Sequence, residues 1–170
     1  MIGYRKVLIA RGATLAMAVA LALSSACSKP NPLLERENLK EFATDYAIAW
    51  SSQDPARVAA CFAPNGSLTI NDGTPAVGRE AIAARVKQVM TDFPDLAVKM
   101  DELSFFKADI DFNWTLTGKN TGPGGTGKAV KISGYEEWTI GSDGLIAASK
   151  GYYDEDDYQR QLAGGAAHSR

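Results

Sequence analysis

Apolar positions along this chain follow a helical period first and an alternating period later. Leu39, Phe42, Tyr46 and Trp50 recur at helical spacing with Ala43, Ala47 and Ala49 beside them, which predicts a first helix closed by Ser51-Ser52-Gln53. Asp54-Pro55 predicts the start of a second, because Asp caps free N–H groups and Pro fits the first helical position. That helix is expected from Pro55 to about Ala63, burying Val58 and Phe62. Pro64-Asn65-Gly66 reads as a turn, Leu68 and Ile70 as a brief strand, and Asn71-Asp72-Gly73 as another turn. A third helix is expected from about Arg79, with Ile82, Val86, Val89, Met90 and Phe93 on one stripe and Pro94 closing it.

Alternation then takes over. Leu96, Val98 and Met100 alternate, and Ile110, Phe112, Trp114 and Leu116 alternate against Asp111, Asn113, Thr115 and Thr117. Gly118 to Gly127 reads as a loop, Val130 to Ile140 as a strand, Gly141 to Gly144 as a hairpin turn, and Leu145 to Tyr153 as the returning strand. A short helix is expected around Tyr158 to Leu162. Helices followed by antiparallel strands predict an α+β domain, and a curved sheet over a long helix would enclose a pocket.

The first 26 residues belong to neither pattern. Arg5, Lys6 and Arg11 precede Gly12 to Ala26, which carries no charge and is mostly Ala, Leu and Val. A positive head, a short apolar run and small residues at its end predict an export signal over residues 1–26. The run is shorter than the roughly 20 residues that span a bilayer. The ending Leu23-Ser24-Ser25-Ala26-Cys27 resembles a bacterial lipobox, which implies lipidation of Cys27 and a membrane contact made only through that lipid. Ser24 stands where that pattern usually has Leu, and an alternative cut after Ala20-Leu21-Ala22 would leave Cys27 a plain thiol. The expected location is outside the cytoplasm, facing the periplasm if the source is Gram-negative. Residues 27–33 read as a tether, 34–162 as the domain, and 163–170 as a disordered tail.

Charge narrows the partners. The chain has 18 Lys plus Arg against 20 Asp plus Glu. Three of the basic residues and none of the acidic ones fall in the leader, so the remainder is acidic and has no basic cluster. Nucleic acid is excluded as an expected partner, since phosphate binding needs concentrated Lys and Arg. Cys61 is the other cysteine. It either pairs with Cys27, as an exported chain permits, or packs as a buried thiol, which suits its apolar setting better.

Several stretches resemble the SnoaL-like branch of the nuclear-transport-factor-2-like superfamily. Tyr46 to Ala63 is similar to its opening helix pair, and Gly78-Arg79-Glu80-Ala81-Ile82 to the start of its third helix. Phe93-Pro94-Asp95-Leu96 and Trp114-Thr115-Leu116-Thr117-Gly118 are similar to its FPDL and WTLTG stretches, and Gly134 to Gly144, Tyr152-Tyr153-Asp154 and Gln161-Leu162 to its closing hairpin and tail. The resemblance implies a cone of three N-terminal helices packed in a strongly curved antiparallel sheet, often dimeric through the sheet. It is a poor guide to function, because one fold hosts many activities.

Glu136 is the most informative residue. The phase Val130, Ile132, Gly134, Glu136, Trp138, Ile140 puts it on the apolar face, where a carboxylate resists ionising. That setting suits a general acid or a neutral carboxyl that donates a hydrogen bond. The resemblance implies more: Glu136 falls where the related ketosteroid isomerase has its protonated acid, Tyr46 where it has the partner tyrosine, and Ile70 where it has the base. Ile70 cannot take a proton. Asp72, two residues on, is the substitute candidate, although Asp before Gly is common in turns for backbone reasons. A core tyrosine with a satisfied hydroxyl is equally the plainer role for Tyr46.

Other chemistry finds little support. Gly122 to Ala129 nearly fits a phosphate loop, but Ala129 lacks the hydroxyl and a strand follows, so a flexible hairpin loop is expected. The only histidine, His168, is in the tail, which disfavours nucleophilic triads and metal binding. Asp154 to Asp157 lacks the spacing of a calcium loop and suits a helix start. No metal and no cofactor are expected. The leading expectation is a module that binds a small apolar molecule with one polar end, walled by Trp50, Ile70, Phe112, Trp114 and Trp138, with Glu136 and Tyr46 at the polar end. The alternatives are an isomerase-like or polyketide-cyclase-like enzyme using Glu136 and Asp72 as acid and base, and a structural dimerisation module.

Overall fold

The computed structural model describes residues 32–106 and 109–164. The expected leader, Cys27, most of the tether, His168 and residues 165–170 of the expected tail lie outside the described residues. Helix α1 (Pro32–Ser51) buries Ala43, Tyr46, Ala47 and Trp50 on one stripe, with Leu39 and Phe42 half-buried at its edge. The alanines let the sheet approach closely while the aromatic residues fill the space beyond.

Helix α2 (Pro55–Ala60) starts as expected, with Asp54 Oδ1 accepting from the Ala56 N–H at 3.0 Å. It ends three residues sooner than the pattern predicts. Cys61 caps it, and Phe62 already belongs to strand β1 (Phe62–Ile70). The Pro64-Asn65-Gly66 segment is therefore a bulged part of β1 rather than a turn: the register against the neighbouring strand shifts between Phe62 and Ser67. Gly66 allows that approach, since a Cβ there would meet the Ile146 carbonyl oxygen at 2.7 Å. Cys61 is half-buried and carries a free thiol, which burial first and the Asp45 carboxylate second push up to about 11. Its Sγ sits 3.5 Å from the Arg57 carbonyl oxygen.

A two-residue strand β2 (Ala76–Val77) follows, then α3 (Arg79–Asp92), which buries Ile82, Val86 and Met90. Strands β3 (Ala97–Phe106), β4 (Asp109–Lys119), β5 (Ala129–Ile140) and β6 (Ile146–Tyr153) complete one sheet in the order β2-β1-β6-β5-β4-β3. The fold class is the α+β cone expected from the sequence. One pair departs from the antiparallel expectation: β1 and β6 run parallel. They come from opposite ends of the domain, so no hairpin constrains their direction. Register shifts between Met100 and Glu102 and between Thr139 and Ile140 bend the sheet around α1.

The loop joining β4 to β5 is tied down, not loose. Asn120 accepts from the Thr126 N–H through Oδ1 and from the Gly127 N–H through its carbonyl oxygen, both at 2.7 Å. Its Nδ2 donates to the Asp92 carbonyl oxygen at the end of α3. No helix follows this loop, in agreement with the rejection of a phosphate site.

Helix α4 (Glu155–Leu162) is capped by Asp154, whose Oδ1 accepts from the Asp157 N–H at 2.9 Å. It docks through Gln161, which is 2% exposed. β6 pairs with β5 only as far as Gly134, so the N-terminal part of β5 lacks a strand on that side. Gln161 stands in for one: its Oε1 accepts from the Lys131 N–H at 2.7 Å and its Nε2 donates to the Lys131 carbonyl oxygen at 3.0 Å. Gln161→Ala is expected to destabilise the domain by about 1–2 kcal/mol, because two part-buried backbone groups at Lys131 lose their partners. Urea denaturation of the variant against the parent measures this.

Candidate functional site

Alternation along β5 turns Glu136 inward, and neighbouring elements bring three donors to it. Tyr46 Oη, from α1, donates to Glu136 Oε2 at 3.1 Å. Trp138 Nε1, two residues along β5, donates to the same oxygen at 2.9 Å, and Ser149 Oγ, from β6, at 2.6 Å. Oε1 has only the longer approach of Tyr46 at 3.4 Å. Tyr46 and Ser149 are fully buried and Glu136 is 6% exposed. No lysine, arginine or histidine pairs with Glu136 among the described residues.

Burial raises the Glu136 pKa above its ordinary value, opposed by the hydrogen bonds from Ser149, Trp138 and Tyr46. The Tyr46 phenol is held well above its ordinary value by burial and then by the Glu136 charge. Tyr46 is thus a fixed donor. An indole N–H can only donate, so Oε2 is the accepting oxygen in either protonation state. Oε1 is the oxygen with capacity to spare. It can carry a proton and donate it, or present a charge.

Glu136 lies in the wall of a cavity of about 130 Å³. Trp50 of α1 and Phe112, Trp114 and Leu116 of β4 form one side. Leu68 and Ile70 of β1 with Gly151 and Tyr153 of β6 form another. Val89, Asp92 and Phe93 at the end of α3, Tyr158 of α4, Val98 of β3 and Ile132 of β5 complete it. Trp114 fits because its register partner is Gly134: a Cβ there would stand 2.7 Å from the indole and would also clash with the Tyr152 carbonyl oxygen. The Trp114 indole N–H is buried without a hydrogen-bond partner. The Trp50 N–H also lacks a partner of good geometry, although it stands near enough to the Tyr46 hydroxyl to ease its ionisation slightly. A ligand oxygen reaching either indole would recover a hydrogen bond.

The structure brings Glu136, Trp50, Ile70, Phe112 and Trp114 to one cavity, as the alternation implies. Tyr46 and Trp138 sit behind Glu136, where they hold the carboxyl without lining the cavity. Phe112 and Trp138 stack at 4.8 Å, and Tyr46 meets them edge-on at 5.3 and 5.2 Å. Asp72 is not brought to the site. It is exposed on the turn after β1 and borders a second depression with Asn71, Tyr152 and Glu155, which adjoins the cavity only through Tyr153. The turn chemistry that explains Asp72 also carries it away from the cavity. Sequence reasoning missed Ser149, Tyr153, Tyr158 and Asp92. Ser149, Gly151 and Tyr153 pair with Trp138, Glu136 and Gly134, so a period of two along β6, had its register been known, would have found the first and last.

The family model for the SnoaL-like domain matches residues 43–149. The chain belongs to the SnoaL-like domain family. Solved structures agree on the fold of this SnoaL-like domain. A candidate SnoaL-like polyketide cyclase from Jannaschia is similar at 15% identity, with a TM-score of 0.66 and coverage of 81% of this chain and 99% of that one. A phenazine biosynthesis-related protein from Pseudomonas aeruginosa is similar at 16% identity, with a TM-score of 0.66 and coverage of 86% and 94%. A protein of ketosteroid isomerase-like fold from Catenulispora acidiphila, solved in complex with trimethylamine, is similar at 18% identity, with a TM-score of 0.64 and coverage of 76% and 97%. No curated protein matches the SnoaL-like chain in sequence.

Proposed function

We propose that this SnoaL-like domain binds a small molecule with an apolar body and one polar group, the polar group meeting Glu136 Oε1. The carrying observation is a buried carboxyl, held by three donors on one oxygen, in the wall of an otherwise largely apolar cavity. The volume supports a compact ligand, since an apolar cavity of about 150 Å³ holds one benzene ring. The enzyme reading that pairs Glu136 with Asp72 loses support, because Asp72 does not line this cavity. Ligand complexes of structural relatives, such as the one with trimethylamine, are in keeping with a binding role.

The test is titration of the full chain with phenol and benzyl alcohol, read by tryptophan fluorescence, since Trp50 and Trp114 line the cavity. Saturable binding that weakens about tenfold or more in Glu136→Gln is the expected result. Equal binding by parent and variant, or no saturable binding, would overturn the role given to Glu136.

A pH series gives a second check. With its folded pKa raised, Glu136 keeps its proton in the folded state after the unfolded chain has lost it. Between the ordinary value of 4.5 and the raised one, the native state binds more protons, so this group makes stability fall as pH rises, with no further loss above that window. Tyr46, the other titratable group in contact with it, stays protonated across this range. Urea midpoints of the parent relative to Glu136→Gln should drop across the window and then run level.

We extend the proposal to location and assembly. The leader pattern over residues 1–26 supports export, and the lipobox-like ending supports a lipid on Cys27. The resemblance to often dimeric cones motivates a homodimer through the outer sheet face, where Tyr135, 38% exposed, stacks on Tyr152 at 5.1 Å. Intact mass of membrane-extracted protein should show an acyl increment that Cys27→Ser removes.

A further inference from the structure

We propose that the polar group of the ligand is a cation, and that the cavity is a receptor for a small alkylated ammonium held between an aromatic wall and the Glu136 carboxylate. This rests on the small-molecule reading above and names the ligand class.

Four rings from four elements form the wall. Trp114 meets Tyr153 at 6.4 Å with 60° between ring planes, and Tyr153 meets Tyr158 at 5.7 Å and 83°. Tyr158 meets Phe93 at 6.4 Å and 51°. All four rings line the cavity, and a cation entering it would be attracted by the ring faces it meets, as in the aromatic cages that hold methylated ammonium groups.

Formal charge points the same way. The charged side chains in the lining are Asp92 and Glu136, both acidic, and no lysine, arginine or histidine joins them among the described residues. Glu136 is buried with hydrogen-bond donors and no counter-charge. A buried carboxylate ordinarily has a cationic partner, because desolvation without one is costly. Here the ligand can supply it. The negative potential continues outward, since the charges of Asp92 and Glu155 both bear on the Tyr158 phenol. An incoming anion would meet repulsion at each step, and a neutral ligand would gain less than a cation from this arrangement. The cavity of about 130 Å³ suits a trimethylammonium head better than an extended ring system.

The test compares choline with 3,3-dimethylbutanol, its neutral isostere with carbon in place of nitrogen and the same hydroxyl. Both are titrated calorimetrically against the full chain, with phenol as a neutral aromatic probe. The expected result is choline binding about tenfold or more tighter than the isostere. That preference should shrink in Tyr158→Leu, which removes one half-buried ring, and in Glu136→Gln, which removes the charge and keeps the shape. Circular dichroism confirms that each variant is folded, and Asp92→Asn, at a half-exposed position, provides a third variant with low risk to folding. Equal or tighter binding of the isostere, or of phenol alone, would overturn the cation and leave small-molecule binding standing. Failure of all three probes to bind would overturn both.

Discussion

Glu136→Ala is expected to destabilise the domain by about 3–5 kcal/mol, the largest loss available from one polar side chain here. Truncation removes the acceptor of Tyr46, Trp138 and Ser149 together. Each buried donor left unpaired costs about 1–3 kcal/mol. The Tyr46 and Ser149 hydroxyls recover part of this by rotating, whereas the Trp138 N–H is fixed by its ring, stacked on Phe112 at 4.8 Å. Glu136→Gln is the informative control. Its amide oxygen can keep the fixed Trp138 N–H and one of the two hydroxyls, so its stability should fall by no more than about 1.5 kcal/mol. The difference between the two variants, read from urea denaturation with a common slope, isolates the acceptor from the charge. Equal losses in both would mean that the charge, and not the acceptor, holds this centre together.

Phe112→Ala is expected to cost about 3–5 kcal/mol for a different reason, the loss of packing around a fully buried ring. Phe112 stacks on Trp138 and meets Tyr46 at 5.3 Å, so its removal also loosens both side chains that hold Glu136. Because Phe112 lines the cavity, the space it leaves adds to the ligand site. Calorimetric unfolding measures the first effect. The second should appear as a shift in ligand preference, with naphthalene-sized probes gaining on phenol-sized ones. A stable variant with unchanged preference would show that the ring neither packs nor walls the cavity as described.

These two residues show how unevenly the site was legible in the sequence. Phe112 and Glu136 stand on neighbouring strands whose alternation is unbroken, and they are register partners. A period of two fixes which side faces inward without knowledge of the fold. Trp50 was legible for the same kind of reason, from a helical period. Tyr46 also lay on that stripe, and its partner could be suggested only through a family resemblance. Ser149 carried almost no signal. A lone serine in a returning strand is ordinary, and only the register with Trp138 makes it a donor to Glu136. The bulged start of β1 was misread as a turn, since Pro-Asn-Gly has turn chemistry wherever it occurs and the pairing with β6 lies some 80 residues away in sequence.

The sequence by itself determined the order of the helices and of the longer strands, the inward placement of Glu136 and the apolar face around it. Those properties follow from local periodicity, which each segment carries within itself. It also carried the leader pattern and the Cys27 ending that motivate the export proposal. Tertiary structure alone decided which elements meet. It set Ser149 and Tyr46 on one carboxylate oxygen, wrapped Trp114, Tyr153, Tyr158 and Phe93 around one space, and left Asp72 outside it. Such convergence depends on sheet register and on where α4 docks, and both are fixed by contacts between residues far apart in the chain.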